Sequence, residues 1–391
     1  MQIKLLKVEI EGIRLYKNEK FEIDLFANQN VTFEEKEENI VENLASSLNK
    51  QNIMAIVGIN ATGKTTTLKL ISSVIEIFIQ AESLNNISKK EIFELFKEET
   101  KITTHYYAND TIYKLTSDIS KLEEKFIFTE ETLQEKKVNK GMSKNRLFDF
   151  SNMPLVIQRT KEDSAYLKQD DSIFMKTLRK IGVKENRKYL FDMVIYNNMN
   201  YFHTLREIPA EYISYLDPSI DYLKFVYPSG IQTGTDIQIQ LKFKGSEMKE
   251  ITLRQLADYL SSGTIKGLYL LISVQQTLEV GGYMIIDEIE NHLNKSIVIM
   301  LLNLFKSKVN KNNATLIFST HYSEILDDIE RNDCIYFTTK ESGEIVVTNL
   351  STKYSRNDRK KSSIFLSGIL GTAPQYNSYI EMKRTMKKNV K

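Results

Sequence analysis

The sequence of 391 residues contains a single cysteine, Cys334, and no long run of apolar residues. One cysteine excludes an internal disulfide and any metal site built from several cysteines. No apolar stretch approaches the length that spans a membrane, and residues 1–13 alternate in character rather than forming a signal peptide. We therefore expect a cytoplasmic protein with no membrane partner.

Neither sign of charge is in clear excess, because 53 Lys and Arg against 51 Asp and Glu leave a formal net charge of +2. Global charge therefore gives no indication of nucleic-acid binding. The charge is unevenly placed, however, since residues 351–391 carry 10 basic and 2 acidic side chains. Such a tail fits a solvated terminus, and it also fits contact with a phosphate backbone or an acidic partner, so nucleic acid stays open as a partner.

Internal repeats are also lacking, and no heptad pattern is sustained between Ala81 and Glu250, which argues against a long coiled-coil arm. The length allows two or three domain-sized units, or one large core with insertions.

The most informative stretch is Ile53 to Thr67, IMAIVGINATGKTTT. An apolar run predicts a strand that ends at Gly58, and Gly63-Lys64-Thr65 opens a helix, so the pattern G-x-x-x-x-G-K-[ST] lies at a strand-to-helix junction. The first amides of a helix lack partners and carry partial positive charge, which predicts a phosphate cradle in which Lys64 adds a cation and Thr65 a hydroxyl for Mg²⁺. The candidate phosphate-binding residues are Asn60, Ala61, Thr62, Gly63, Lys64, Thr65 and Thr66.

A second small-residue segment, Leu260-Ser261-Ser262-Gly263-Thr264, separates two predicted helices, the second spanning residues 265–278. Free amides and a serine hydroxyl at a helix start suit a phosphate, although the same pattern is also that of a simple helix cap.

Two further strands end in candidate catalytic residues. The apolar run 283–286 ends in Asp287-Glu288, and buried carboxylates are costly unless something compensates them. Asp287 is placed to hold Mg²⁺ through its waters, and Glu288 to orient or deprotonate the water that attacks the γ-phosphorus. The alternative is a pair of carboxylates that merely leave the core. The run 315–319 leads to His321, which we expect to hydrogen-bond the γ-phosphate rather than serve a purely structural role.

Elsewhere the pattern predicts elements more coarsely. We expect strands within residues 3–26, at 126–128 and at 236–243, and a hairpin that turns at Asn109-Asp110. Helices are predicted at 40–48, 81–99 and 186–206, with a further one between Pro209 and Pro218. Most of residues 130–186 has no clear pattern.

In this order, GINATGKT, LSSGT, YMIIDE and STH resemble the phosphate loop, signature, acidic strand and switch histidine of ABC-type ATPases. Asn60 favours the soluble SMC, RecF and OLD-like branch. The phrases LSSGTIKGL, IDEIEN and STHYSEILDD resemble the bacterial AAA-family ATPases of abortive-infection systems, the AbiL-like group. The resemblance covers residues 1–75 and 250–380 well and the middle only loosely.

The resemblance implies an α/β fold: an ABC-type P-loop ATPase head with a mixed sheet and helices, an antiparallel N-terminal β subdomain, an inserted α+β or helical region and no long coiled coil. The expected division is an N-terminal lobe with the phosphate loop (1–80), the inserted region (81–250), a C-terminal lobe with signature, acidic strand and switch histidine (251–350) and a basic tail (351–391).

The resemblance also implies ATP and Mg²⁺ as ligands, with Thr65 and Asp287 at the metal. A head-to-tail homodimer would sandwich ATP between one phosphate loop and the partner's signature, and a higher assembly is left open. The signature residues are Ser261, Ser262, Gly263 and Thr264. Arg14 matches an arginine that approaches the phosphates in relatives.

Several positions depart from the family pattern. Ala61 and Ser262 stand where glycine is common, and HLNK at 292–295 replaces the usual D-loop phrase. Gln134 and Gln158 are the candidates for the Q-loop glutamine.

The leading functional prediction is an ATPase that acts as sensor or regulatory subunit of an anti-phage system with a separately encoded effector. Because 70 residues follow His321, we expect no metal-dependent nuclease after the ATPase. The alternative is a RecF- or SMC-like ATPase of DNA repair or chromosome maintenance that binds DNA. A transporter subunit fits poorly, and Glu288 argues against a scaffold that does not hydrolyse ATP.

Overall fold

The computed structural model describes residues 3–45, 47–160, 166–184, 187–194, 208–226, 237–291, 293–356, 359–368, 371 and 376–389. The strands are β1 (Lys4–Ile13), β2 (Lys20–Asp24), β3 (Val41–Ala45), β4 (Leu48–Gln51), β5 (Ile53–Val57), β6 (Phe96–Ala108), β7 (Thr111–Leu122), β8 (Lys125–Lys137), β9 (Leu155–Gln158), β10 (Leu190–Met193), β11 (Ile220–Val226), β12 (Gln238–Phe243), β13 (Lys249–Thr252), β14 (Tyr283–Ile286), β15 (Thr315–Thr320), β16 (Ile335–Glu341) and β17 (Glu344–Asn349). The helices are α1 (Phe33–Glu37), α2 (Lys64–Phe78), α3 (Lys144–Phe148), α4 (Phe174–Ile181), α5 (Ala210–Leu216), α6 (Leu256–Tyr259), α7 (Ser262–Val280), α8 (Lys295–Phe305), α9 (Leu350–Lys353), α10 (Lys361–Leu366) and α11 (Tyr376–Asn389).

The central sheet has the strand order β10–β14–β15–β5–β16–β17, and its strands run parallel except for β17. Both faces of β5 are buried: Met54 and Ile56 belong to one apolar core, and Ile53, Ala55 and Val57 to another. This explains the unbroken apolar run, since a parallel strand covered on both faces has no polar side. The carboxyl ends of β5, β14 and β15 consequently meet at one edge of the sheet.

A second sheet, antiparallel where its strands pair, has the order β2–β1–β6–β7–β8–β9. It lies against α2, because Val8, Ile10 and Leu115 of the strands share one core with Leu68 and Ile71 of the helix. Of the 15 residues of α2, 11 are buried, so the helix is enclosed on most of its sides. The long strands β6 to β8 thus extend a sheet that begins at the N-terminus.

A smaller sheet, β11–β12–β13, packs on α5, α6 and α7. The strand predicted at 236–243 is observed as β12, in which Ile239 and Leu241 are fully buried and Phe243 is partly buried against the same core. Leu256 and Leu268 complete this core from the helices.

Other predicted elements are also confirmed. The β6–β7 hairpin turns at Asn109 and Asp110, whose φ angles are 49° and 55°, as a two-residue turn between antiparallel strands requires. The predicted strand at 126–128 lies within β8, and Pro209 immediately precedes α5, where its fixed φ and missing N–H are tolerated.

Three helix predictions are wrong for the residues described. Residues 41–51 form the β3–β4 hairpin instead of a helix. Residues 84–95 contain only the short 3₁₀ segments Leu84–Asn86 and Lys90–Leu95, and β6 begins at Phe96. Within the predicted helix 186–206, Leu190–Met193 is a strand paired with β14, while residues 195–207 lie outside the described part of the chain. In each case pairing with distant strands or burial in a shared core overrides local periodicity.

Helices in the described part of the chain are of moderate length. The longest, α7, has 19 residues, so the described residues contain no long coiled coil. None of the described helices combines the length and the apolarity needed to cross a bilayer.

Candidate functional site

The loop between β5 and α2, where the sequence predicts a phosphate cradle, leads directly into the start of a helix. Gly63 precedes the helix at φ 100°, and a Cβ there would lie 2.5 Å from Ile345 Cδ1. A Cβ at Gly58 would lie 2.5 Å from Thr338 Oγ1, so both ends of the loop require glycine. Lys64 Nζ donates to the carbonyls of Gly58 and Ile59, each at 3.0 Å, which folds the lysine back over its own loop.

A cavity of about 420 Å³ opens over this loop, within the usual range for small-molecule sites. Its lining residues are Leu15, Asn60, Ala61, Gly63, Lys64, Thr65, Thr66, Glu288, Lys340, Gly343 and Ile345. Of the predicted cradle residues, Thr62 lies elsewhere: its hydroxyl donates to Ile59 O at 2.8 Å and is hydrogen-bonded to Thr338 Oγ1 at 2.8 Å. We infer that Thr62 fixes the loop to β16, whereas the other six face the cavity.

The acidic strand end joins the same site. Thr65 Oγ1 donates to Asp287 Oδ2 at 2.6 Å, and Ser319 Oγ donates to Asp287 Oδ1. Ser319 Oγ also accepts the Glu288 amide at 2.8 Å. Glu288 lines the cavity with φ 46°, a left-handed conformation that is costly for a residue other than glycine. The carboxyl ends of β5, β14 and β15 therefore converge on Asp287 and Glu288.

Two lysines lie within the field of these carboxylates. Burial lowers the pKa of the Lys64 ammonium, and Glu288, Asp287 and Glu290 oppose that shift by favouring the charged form. Burial likewise lowers the pKa of Lys266, in α7, against the same three carboxylates. Desolvation dominates at both, so a negatively charged ligand would offset the cost of holding the cations there.

His321 is anchored by a carboxylate that the sequence interpretation did not single out. Its Nδ1 lies 2.7 Å from Glu290 Oε1, and its backbone N–H donates to the same oxygen at 2.9 Å. The side chain of Glu290 is only 3% exposed, and among the described residues its Oε2 has no hydrogen-bond partner. The pairing directs Nδ1 away from solvent and leaves Nε2 as the ring nitrogen available to a ligand.

The signature segment caps α7. Ser261 is the N-cap residue, and its Oγ accepts the Thr264 amide at 3.0 Å while lying 2.8 Å from Thr264 Oγ1. Among the described residues that line the cavity, none comes from Ser261, Ser262, Gly263 or Thr264. The signature segment of one chain therefore does not line the cavity over the phosphate loop of the same chain.

Other predicted positions also lie away from the cavity lining. Arg14 is exposed, with Nη1 3.5 Å from Glu94 O, although its neighbour Leu15 lines the cavity. Gln134 donates to Met153 O at 2.7 Å, and Gln158 lies in β9. His292 is outside the described residues, whereas Asn294 of the same phrase caps α8.

Cavity residues that sequence reasoning missed come from two other segments. Leu15, with φ 70°, follows β1, and Lys340, Gly343 and Ile345 belong to the β16–β17 hairpin. The Ser342-Gly343 dipeptide does signal a turn. Its position over the phosphate loop depends on β16 pairing with β5, which no local pattern reveals.

The residues present fit a magnesium nucleotide. The cradle combines glycines without Cβ atoms, an inward-facing lysine and a helix start, and the orphaned buried Glu290 Oε2 lies near the same site. Thr65 and Asp287, already in contact, supply the one hydroxyl and one carboxylate that Mg²⁺ commonly takes beside phosphate oxygens.

Comparison with solved structures supports the predicted fold class. The chain is similar to a structure described as "Crystal structure of the SmcHead bound to the C-winged helix domain of ScpA", with a TM-score of 0.50 and 12% sequence identity. The match covers 90% of this chain and 99% of that chain. The predicted class, a mixed α/β ATPase head with antiparallel N-terminal strands, is confirmed. A search of curated proteins gives no significant match.

A family model described as "AAA domain, putative AbiEii toxin, Type IV TA system" matches residues 53–327, a span that begins with β5 and includes the phosphate loop, signature segment, acidic strand and His321. This span is more than half of the chain. The chain therefore belongs to this AAA-domain family and has the fold of an SMC-type ATPase head.

Proposed function

We propose that this protein hydrolyses ATP in a homodimer and regulates a separately encoded effector in an anti-phage, abortive-infection system. The observation that carries the ATPase part is the chain of hydrogen bonds from Thr65 through Asp287 and Ser319 to the Glu288 amide. It ties the phosphate loop to the candidate base at the rim of one cavity.

In the proposed reaction the chain binds the ATP phosphates through the loop amides and Lys64. Thr65 and Asp287 would hold magnesium, which when bound neutralises charge on the β- and γ-phosphates. Glu288 orients the attacking water and accepts its proton. His321, held by Glu290, offers Nε2 to the γ-phosphate. The positive φ of Glu288 supports this role, since strained backbone concentrates at functional sites.

We infer the dimer from the incomplete cavity. One wall is the phosphate loop and another is the β16–β17 hairpin, but the signature segment of the same chain does not line it. Ser261 and Gly263 of a second copy would close the cavity, as in the head-to-tail arrangement that the resemblance to ABC-type ATPases implies.

The biological role rests on family likeness. The description of the matching family names a "putative AbiEii toxin" and a "Type IV TA system". The similar solved structure is that of an SMC head bound to a domain of another protein, ScpA, which supports a protein partner here.

Phosphate release tests the chemistry. Glu288→Gln should lower the rate of hydrolysis about 10²- to 10⁴-fold while ATP binding persists, because only proton acceptance is lost. Lys64→Ala should weaken ATP binding about tenfold or more, because a charge-assisted contact is removed. Equal rates in wild type and Glu288→Gln would remove Glu288 from the mechanism.

Mixing two inactive variants tests the dimer. Lys64→Ala and Ser261→Arg each spoil both sites of a symmetric dimer, whereas a mixed dimer retains one intact site. An equimolar mixture should recover about a quarter of wild-type hydrolysis. No recovery under conditions of subunit exchange would contradict the sandwich.

Cells that carry this gene with its neighbouring gene test the role. Protection against phage should be lost with Lys64→Ala. Salt-sensitive DNA binding that requires ATP, without phage protection, would instead favour the RecF-type alternative.

A further inference from the structure

An apolar groove lies away from the nucleotide cavity, between α5, α7 and α8. It has a volume of about 700 Å³. Its floor is formed by Leu271, Val274 and Leu278 of α7 and by Met300 and Leu304 of α8. Apolar side chains that line one open groove together offer a surface on which an apolar partner could pack.

The groove has a defined shape because its walls are fastened together. Tyr212 Oη donates to Gln275 Oε1 at 3.0 Å, which joins α5 to α7. At one end Asn312 Nδ2 donates to the carbonyls of Leu278 and Glu279, at 3.1 and 3.0 Å. A groove that is formed before binding loses little entropy when it is filled.

The rim of the groove is predominantly acidic. Glu211 and Glu279 lie on the α5 and α7 sides and are exposed, and Lys311 stands at the end near Asn312. The exposed ring of Tyr215 extends the apolar wall beside Glu211. The groove therefore suits an apolar helix face flanked by positive charge.

Helix α11 of this chain has that character. Tyr379, Met382 and Met386 are 50%, 48% and 57% exposed, and their spacing of three and four residues places them on one helix face. The side chains of residues 381–388 are all exposed, and they include Lys383, Arg384, Lys387 and Lys388 against a single acid, Glu381. Methionine side chains adapt readily to apolar grooves.

We propose that α11 of one copy docks in the α5–α7–α8 groove of a second copy, and that the exchange is reciprocal. Met382 and Met386 enter the apolar floor, while the basic side chains beside them face Glu211 and Glu279. In a two-fold arrangement the same contact forms twice. This contact needs no nucleotide, so it is separate from the proposed ATP sandwich.

Light scattering of the full-length chain without nucleotide tests the proposal. Wild type should have twice the chain mass of 45.4 kDa, whereas Met382→Glu with Met386→Glu should have the mass of one chain. Met300→Glu should separate the copies in the same way from the groove side. Met248→Glu is the matched control, because Met248 is 47% exposed and lies outside the groove, and it should stay dimeric.

Complementation makes the test specific. A mixture of the helix variant and the groove variant leaves one intact helix and one intact groove per pair, so mixed dimers should form at higher concentration than wild type needs. Glu211→Lys with Glu279→Lys should weaken the dimer, and adding Lys383→Glu and Lys387→Glu should restore it.

The proposal is overturned if nucleotide-free wild type is monomeric throughout a dilution series, or if the helix variants keep the wild-type mass. The first result would leave the groove to the helix of the same chain or to a different protein. Because the measurement omits nucleotide, failure of the ATPase proposal would not alter its outcome, and its failure would not alter phosphate release.

Discussion

At the amino end of β5, Lys50 is completely enclosed, whereas at the carboxyl end of the same strand Lys64 faces an open cavity. Lys50 Nζ lies 3.6 Å from Glu42 Oε2 and donates to Asn313 O at 3.2 Å. Lys4 shares the same carboxylate at 3.1 Å. The two cations at the enclosed end thus share one carboxylate and are otherwise held by backbone carbonyls and, for Lys50, by Asn52 Oδ1 at 3.4 Å.

The difference in surroundings indicates that Lys50 has a structural role and Lys64 a functional one. At the enclosed end, burial lowers the pKa of Lys50 to about 7, and the neighbouring Lys4 adds to that shift. At the open end, burial also lowers the pKa of Lys64, but Glu288, Asp287 and Glu290 oppose this shift, and the cavity leaves room for a ligand. We expect changes at the enclosed end to affect stability alone, and changes at the open end to affect catalysis.

The largest expected effect is on stability, and it comes from Lys50→Met, which removes the buried cation at the enclosed end. In the folded state the pKa of Lys50 is about 7, below its ordinary value of 10.5, so between these values the unfolded chain binds more protons. The free energy of unfolding of wild type should therefore rise with pH in this window, by up to about 1.4 kcal/mol per pH unit, and fall as pH decreases towards 7. Lys50→Met should flatten the rise.

Denaturant unfolding at about pH 7 and about pH 9 measures this slope. The comparison of the two ends also requires that Lys50→Met hydrolyse ATP at the wild-type rate once it is folded. A variant with the full wild-type slope would show that Lys50 is charged in the folded protein at both pH values.

The next largest effect is on catalysis, and it comes from Glu290→Gln at the open end. The glutamine keeps the size of the side chain but removes the charge that holds His321 Nδ1 at 2.7 Å. We expect kcat for ATP hydrolysis to fall about tenfold with little change in KM, because in the proposed mechanism Glu290 positions a histidine that acts on the γ-phosphate in the transition state.

Glu324→Gln is the matched control, since Glu324 lies three residues after His321 but is exposed. It should hydrolyse ATP normally, and Glu290→Asp should recover part of the lost rate. If Glu290→Gln instead raised KM and left kcat unchanged, the carboxylate would serve binding rather than positioning.

The sequence could predict the site residues that lie close together in the chain, but not those that meet only in the fold. Lys64, Gly63 and Thr65 lie within one short motif, and the cavity is built around them. Lys340 and Leu15 reach the same cavity from segments far apart in the chain, so no spacing rule identifies them. The partnership of Glu290 with His321 likewise crosses from the segment after β14 to the end of β15.

Strands were predictable where burial leaves a visible apolar run, and not where the contacts that form them involve buried polar side chains. The apolar runs of β5, β14 and β15 are strands because both faces of the sheet are covered, and a run of that kind is visible in the sequence. The β3–β4 hairpin was mistaken for a helix, because its second strand carries the buried Lys50 and Asn49, whose partners are remote or across the hairpin.

The smallest expected effect is a gain in stability at the open end, from Ala61→Gly. Ala61 lines the cavity at φ 64°, a conformation that costs a residue with a Cβ about 1–2 kcal/mol, while glycine costs about 0.5–1 kcal/mol more in chain entropy. Ala61→Gly should therefore raise the free energy of unfolding by about 0.5 kcal/mol. Ala81, at φ 60° but outside the cavity lining, is the matched control, and Ala81→Gly should give the same gain in denaturant unfolding. Only Ala61→Gly should also change ATP affinity, because of the two positions only Ala61 lines the proposed phosphate site. Equal ATP affinities in all three proteins would mean that the conformation of Ala61 affects the stability of the fold without shaping the site.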